Sequence, residues 1–168
     1  ALRKDLAKPF LKQMNLFDIL PEIKLEFNEP EIPFEEIETK ETNYGIKECT
    51  VDQKKWWDLA NEGSSFAEKH PKGSWFSCAK VARKQVINTI VGSARASASG
   101  FYHYSEPRHL NVEEYQLAGT YPMDYNFTEF NSNPVYLIGM SVPPVMIANI
   151  ATEIYNQWLA KPNREENF

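Results

Sequence analysis

The last third of the chain carries the pattern that most limits its fold. Asn111, followed three residues later by Glu114, has the form of a capping box and predicts a short helix at about 112–118. After a Pro-Pro step at 143–144, apolar residues recur at spacings of three and four: Ile147, Ile150, Ile154 and Trp158. We predict that Ser141 caps this last helix and that a proline opens its first turn. One face of such a helix has to be buried against a partner surface.

Shorter signals predict the remaining elements. Thr50 with Gln53 forms a second capping box and predicts a helix at about 51–61, with Gly63 beyond its end. The β-prone stretches are 74–81, 86–91, 100–104 and the alternation Ile23, Leu25, Phe27. Residues 92–100 are small and polar and predict a loop. The expected fold is a small α+β domain with short strands, two or three helices and a long C-terminal helix.

Composition and length narrow the class of protein. The chain has 168 residues, of which 42% are apolar, and this is enough for one domain with an ordinary core. No run of about 18 apolar residues and no signal peptide is present, so we expect a cytoplasmic protein with no membrane partner. The two cysteines, Cys49 and Cys78, have no metal-like spacing, and we expect no metal site and no disulfide. The chain begins at Ala1 without Met, which we interpret as a trimmed or processed start.

Charge is divided unevenly along the chain. Residues 18–68 hold 14 acidic and 5 basic residues, a net charge of −9. Residues 69–109 hold 7 basic residues, one acid and all three histidines, a net charge of +6 with the histidines neutral. A basic block can supply sequence-independent affinity for DNA by releasing counterions. The alternative is an ordinary solvated surface.

Three segments in a fixed order resemble a known family. They are Arg-His-Leu-Asn-Val-Glu-Glu-Tyr at 108–115, Thr-Tyr-Pro-Met-Asp-Tyr-Asn-Phe at 120–127 and Tyr-Leu-Ile-Gly-Met-Ser-Val-Pro-Pro at 136–144. This order resembles motifs IX and X of DNA (cytosine-C5) methyltransferases. The resemblance implies a C-terminal fragment in three parts: 1–19 as the end of the catalytic region, 20–107 as the target-recognition domain, and 108–168 as motifs IX and X with the last helix. That helix would pack on a Rossmann-like catalytic domain.

The resemblance assigns roles to three groups of residues. In motif IX it implies a structural brace made of Arg108, Glu114, Tyr121 and Pro122. In motif X it implies that the turn of Gly139, Met140, Ser141 and Val142 faces the carboxylate of S-adenosylmethionine, the alternative being an ordinary helix-entry turn. For DNA contacts it implies Thr89 at a phosphate, the alternative being a plain strand residue. Cations and a histidine of the basic block complete the expected DNA-contacting set: Arg83, Lys84, Arg95 and His103.

The chain departs from the family pattern at three positions. Leu117 stands where many members have Arg, Thr120 where many have Gly, and Met140 where Asn is usual. The catalytic motifs of the family are also not found in the sequence. Cys49 follows Glu48 and Cys78 follows Ser77, whereas the family's nucleophile follows Pro, and there is no Glu-Asn-Val and no Phe-x-Gly-x-Gly.

These observations predict a DNA-reading and scaffolding part of a methyltransferase that is inactive alone. We expect the whole enzyme to methylate cytosine in a specific double-stranded DNA site, within a bacterial restriction-modification system. Two alternatives remain open: a natural second subunit of a split methyltransferase, and a non-catalytic interaction module that keeps the scaffold. Since its last helix would lack its partner domain, we also expect this chain to fold back or self-associate.

Overall fold

A computed structural model describes residues 24–75, 77–92, 100–127 and 133–160 of the protein. Glu29–Val145 forms one compact unit, and the described parts of Ala1–Asn28 and Met146–Phe168 form a second. The elements, in chain order, are α1 (Phe34–Ile37), α2 (Val51–Leu59), a 3-10 turn (Phe66–Glu68), β1 (Cys78–Lys80), β2 (Gly100–Tyr102), α3 (Val112–Ala118), α4 (Pro134–Met140) and α5 (Pro144–Ile154), with a π-helical turn (Tyr155–Leu159) after α5. The expected small mixed α+β fold is confirmed.

Two helices begin where local sequence signals predicted them. At α2 the Thr50 hydroxyl accepts from the Gln53 N–H at 3.3 Å, and the Gln53 side chain accepts from the Thr50 N–H at 2.8 Å. Asn111 and Glu114 make the same reciprocal pair at the start of α3. A capping box satisfies backbone N–H groups that a helix start leaves without partners. Both helices therefore begin at the predicted residues.

The sheet is smaller than the sequence suggested. β1 pairs in parallel with β2, with Cys78 opposite Gly100 and Lys80 opposite Tyr102. The predicted strand at 74–81 is reduced to β1 because Trp75 has a φ of 69°, which breaks the extended backbone just before it.

Two other strand predictions are wrong. Residues 86–91 run outside any strand, although they are β-prone. Leu25 and Phe27 also lie outside any strand, and Ile23 lies outside the described residues. Strand propensity reports how a side chain fits a pleated surface, and no neighbouring strand pairs with either segment within the described part of the chain.

Two clusters of buried side chains form the core of the larger unit. The first consists of Phe34, Val81, Leu110, Tyr115, Phe127 and Ile138, and the second of Ala60, Phe66, Cys78 and Tyr102. The first joins α1, α3 and α4, while the second joins the end of α2 to the sheet. Three tryptophans, Trp56, Trp57 and Trp75, pack against the second cluster. Their apolar surface therefore stabilises the fold.

The last helices differ from expectation in how they begin. A helix that the sequence analysis did not predict, α4, precedes the long one, and Ser141 is its C-terminal cap. The prediction that Ser141 caps α5 is therefore wrong. Ser141 donates to the Ile138 carbonyl at 2.8 Å instead, because α4 leaves its last carbonyls open at that point.

By length and composition alone, one helical stretch, Pro134–Gln157, could cross a membrane. It comprises α4, α5 and the first residues of the π-helical turn, with a break at residues 141–143, and little of it is buried. Each of the two helices is shorter than the roughly 20 residues that a spanning helix needs. A single stretch of this kind is weak evidence, and the absence of a membrane partner stays a prediction.

Candidate nucleic-acid interface

A buried ion pair joins Arg108 and Glu114, near the two ends of the segment 108–115. The Arg108 side chain is 3% exposed and that of Glu114 is 0% exposed. Nη1 and Nη2 of Arg108 donate to the two carboxylate oxygens of Glu114, each at 2.9 Å. Nε donates to Glu106 at 2.7 Å, and Nη1 also donates to the His109 carbonyl at 3.1 Å. This two-pronged geometry is the strongest that an Arg–carboxylate pair can adopt.

The same carboxylate fixes backbone from two other parts of the chain. Glu114 accepts from the N–H of Asn111 at 2.9 Å and from the N–H of Thr39 at 3.4 Å. Asn111 in turn donates to the Thr39 carbonyl at 2.7 Å. One buried anion thus ties the start of α3, the strand-like bridge at Arg108 and the segment after α1. The structure brings together two of the four residues expected to form the brace.

Charge in this network is strongly stabilised. Burial by itself disfavours the Arg108 cation, but the hydrogen bonds that it donates to Glu114 and Glu106 outweigh this effect and raise its pKa above the ordinary value. Hydrogen bonds from Arg108 and then from Lys40 lower the pKa of Glu106 to about 2. Both groups therefore stay ionised at neutral pH, as a structural ion pair requires.

The other two expected brace residues lie at the far end of α3. The Tyr121 hydroxyl donates to the Ser141 hydroxyl oxygen, which links the first motif to the turn of the second. The Pro122 carbonyl accepts from the Gln116 side chain. Residues 108–127 therefore contact residues 136–144 through side-chain hydrogen bonds as well as through the packing of α3 against α4.

The structure shows the consequence of Thr120 at a position where many family members have Gly. Its φ is 59°, in the left-handed region that a β-branched residue rarely adopts and that glycine adopts freely. Its hydroxyl oxygen accepts from the Val145 N–H at 3.2 Å, in the first turn of α5. A residue that replaces glycine here is strained, but it supplies a hydrogen-bond acceptor to the start of the last helix.

His103 is placed where it cannot touch DNA in this structure. It is fully buried, and its Nδ1 accepts from the N–H groups of Ser105 at 3.2 Å and Glu106 at 3.1 Å. With Nδ1 as an acceptor, the proton sits on Nε2 and faces Glu38 at 3.0 Å. Burial, followed by the nearby Arg108 cation, lowers the pKa of His103. Sequence position within the basic block gave no signal of this burial.

Apart from His103, the expected DNA contacts that lie within the described residues share one exposed stretch. Arg83, Lys84 and Thr89 are all exposed, whereas Arg95 lies outside the described residues. Arg83 donates from Nε to Glu35 at 2.7 Å, and this pair offsets its charge. Lys84 has no acidic partner within the described part of the chain. A cavity of about 20 Å³ beside this stretch has room for a single water and none for a base.

The turn expected to face the cofactor offers little free hydrogen-bonding capacity. The Ser141 hydroxyl accepts from Tyr121 and donates to Ile138. The two prolines that follow Val142 carry no N–H, and the next N–H, from Val145, is bonded to Thr120. The turn residues themselves bear no charge. The residues of this turn therefore do not form a complete site for S-adenosylmethionine, and we derive no chemical step from them.

Comparison with known proteins settles the family. The sequence profile of the C-5 cytosine-specific DNA methylase family matches residues 4–156. The chain belongs to this family. Its members transfer a methyl group to cytosine in DNA and in general use S-adenosylmethionine. No curated protein and no solved structure matches the chain significantly.

Proposed function

We propose that this chain is the C-terminal DNA-recognition part of a DNA (cytosine-5-)-methyltransferase and does not methylate DNA alone. In the whole enzyme it would help to read the DNA site and to hold the turn of the second motif against the cofactor. The family match supports the reaction and the DNA substrate. The division of labour is inferred from the sequence and from the residues described above.

The state of the two cysteines carries this proposal. The family's chemistry needs a thiolate that attacks C6 of cytosine, and a reactive cysteine has a lowered pKa. Burial raises the pKa of Cys49 to about 11. Burial also raises the pKa of Cys78, whose sulfur accepts from the Tyr102 hydroxyl. Both thiols are therefore poor nucleophiles at neutral pH, which is what a chain without the catalytic motif predicts.

The proposed set of DNA-contacting residues is smaller than the set that the sequence suggested. Lys84 and Thr89 are exposed and suited to phosphate contacts, which position a protein on DNA without reading bases. Arg83 belongs to the set if DNA displaces Glu35 as its partner. Arg95 keeps its place as a sequence-based candidate. His103 is left out because its ring is buried and both nitrogens are used.

Reconstitution tests this division of labour. The purified chain should incorporate no labelled methyl group from S-adenosylmethionine into DNA. Mixing it with a chain that carries the Pro-Cys and Glu-Asn-Val motifs should give incorporation. A Cys49→Ser/Cys78→Ser variant should support the same incorporation in the mixture. Methylation by the chain alone, or loss of the mixed activity in the double variant, would refute the proposal.

The wider setting is also part of the proposal. We place the enzyme in a bacterial restriction-modification system in the cytoplasm. None of the apolar residues of α5 is buried, which favours the packing of another protein surface against this helix. We propose the catalytic domain as that surface, with self-association of the isolated chain as the alternative. Light scattering of the chain alone and of the mixture separates the two.

A further inference from the structure

Two glycines interlock where α4 ends. A Cβ built on Gly139 would lie 2.5 Å from the Val91 carbonyl carbon and 2.6 Å from the Gly92 nitrogen. A Cβ built on Gly92 would lie 2.7 Å from the Met140 sulfur and 2.9 Å from its Cγ. Real Cβ contacts do not come this close. A side chain at Gly139 would meet backbone, whereas a side chain at Gly92 would meet the flexible Met140 side chain, which would have to move. The backbone of residues 91–92 therefore rests directly on the end of α4, under the Met140 side chain.

The segment held in this way has no strand pairing to position it. Within the described part of the chain, no backbone hydrogen bond joins residues 86–91 to another backbone group. Ile87 and Ile90 pack against the first core cluster. Thr89 lies between them in sequence and is exposed. Among the described residues, the outward position of Thr89 thus rests on packing, at the two isoleucines and at Gly92 and Gly139.

We propose that Gly139 and Met140 position the segment that carries Thr89 for its contact with DNA. Met140 is then a positioning residue for DNA recognition, although its motif suggested only a cofactor role. The resemblance assigns asparagine to this position, and asparagine is a shorter side chain than methionine. The long, flexible thioether covers Gly92 from the end of α4. This inference rests on the proposed DNA-recognition function.

The contact of Gly139 and Met140 with Val91 and Gly92 also links the turn of residues 139–142 to the segment that carries Thr89. The residues that clamp Val91 and Gly92 belong to the turn that faces the cofactor in the family. A shift of this turn therefore moves the backbone two to three residues from Thr89. The proposed DNA contact at Thr89 and the turn of residues 139–142 therefore share one backbone crossing, at Val91 and Gly92.

A double-mutant cycle tests the inference on the intact chain. The variants are Gly92→Ala, Met140→Ala and the two combined, with Met123→Ala as the control for loss of an exposed methionine elsewhere. The probe is a fluorescein-labelled duplex of mixed sequence at low salt, followed by anisotropy. Chemical unfolding of each variant is measured in parallel.

Gly139→Ala should weaken DNA binding about tenfold, the size of one lost hydrogen bond to a charged group. Gly92→Ala should weaken it less, because its methyl meets the flexible Met140 side chain. The combined variant should bind as Met140→Ala does, because removing the thioether makes room for the added methyl. Gly139→Ala should weaken binding with or without Met140, because its methyl meets backbone. Met123→Ala should bind as the wild type does.

Three outcomes overturn the inference. Equal affinities for wild type and Gly139→Ala would remove the positioning role while leaving the proposed function intact. Additive effects in the cycle would show that residues 92 and 140 act separately. Failure of the wild-type chain to bind the duplex at low salt would overturn the DNA-recognition function, and this inference with it.

Discussion

Replacing Glu114 by Gln removes the anion at the centre of the brace with almost no change in volume. The carboxylate is 0% exposed and accepts both terminal nitrogens of Arg108 at 2.9 Å. Breaking a buried ion pair on one side costs about 3–5 kcal/mol, because the remaining charge stays buried without its partner. Arg108 keeps its bonds to Glu106 and to the His109 carbonyl, so we expect the lower end, about 3 kcal/mol. For a chain of this size this corresponds to a fall in Tm of about 6–12 °C.

Urea unfolding and thermal unfolding, both followed by circular dichroism, measure this cost. Glu41→Gln is the matched control, because Glu41 is exposed, and it should change stability by less than about 0.5 kcal/mol. A Glu114→Gln variant within about 1 kcal/mol of wild type would show that the pair does not brace the fold.

Three further predictions follow from individual side chains. Burial lowers the pKa of His109 from 6.5 to about 4. Its contribution to the free energy of unfolding is therefore fully present above pH 6.5 and is lost as the pH falls towards 4. In urea titrations, His109→Phe should reduce this loss. Thr120→Asn should raise the free energy of unfolding by about 1 kcal/mol, because Asn tolerates the left-handed backbone and keeps an oxygen for the Val145 N–H. A variant less stable than the wild type would argue against backbone strain at this position. Lys84→Gln should reduce the slope of log affinity for DNA against log salt by about 0.9, and Lys55→Gln should leave that slope unchanged.

The features that the sequence predicted well depend on residues close together in the chain. The capping boxes at Thr50 and Asn111 involve partners three residues away. Such contacts need no partner from a distant part of the chain, and α2 and α3 begin where expected. The ionic pairing of Arg108 with Glu114 is also short in range, at six residues. Motif order identified the family for the same reason, since it requires no tertiary information.

Features that the sequence missed depend on long-range partners. Residues 86–91 have strand-forming side chains, but a strand also needs a neighbour to pair with, and only the tertiary fold supplies one. His103 lies in a basic stretch, yet it is buried, and its Nε2 is hydrogen-bonded to Glu38, 65 residues away. Ser141 precedes two prolines and resembles a helix start, but the unpredicted α4 ends on it.

The sequence by itself determined the family, two helix starts, the mixed fold class and the basic stretch from which DNA contacts are drawn. The tertiary structure decided which members of that stretch are exposed, and it buried His103 while leaving Lys84 and Thr89 at the surface. It also decided that Gly139 and Met140 rest on Val91 and Gly92. The physical reason is the distance along the chain between the residues that interact. Capping and charge density are set within a few residues, whereas burial and backbone contact depend on segments that only the folded chain brings together.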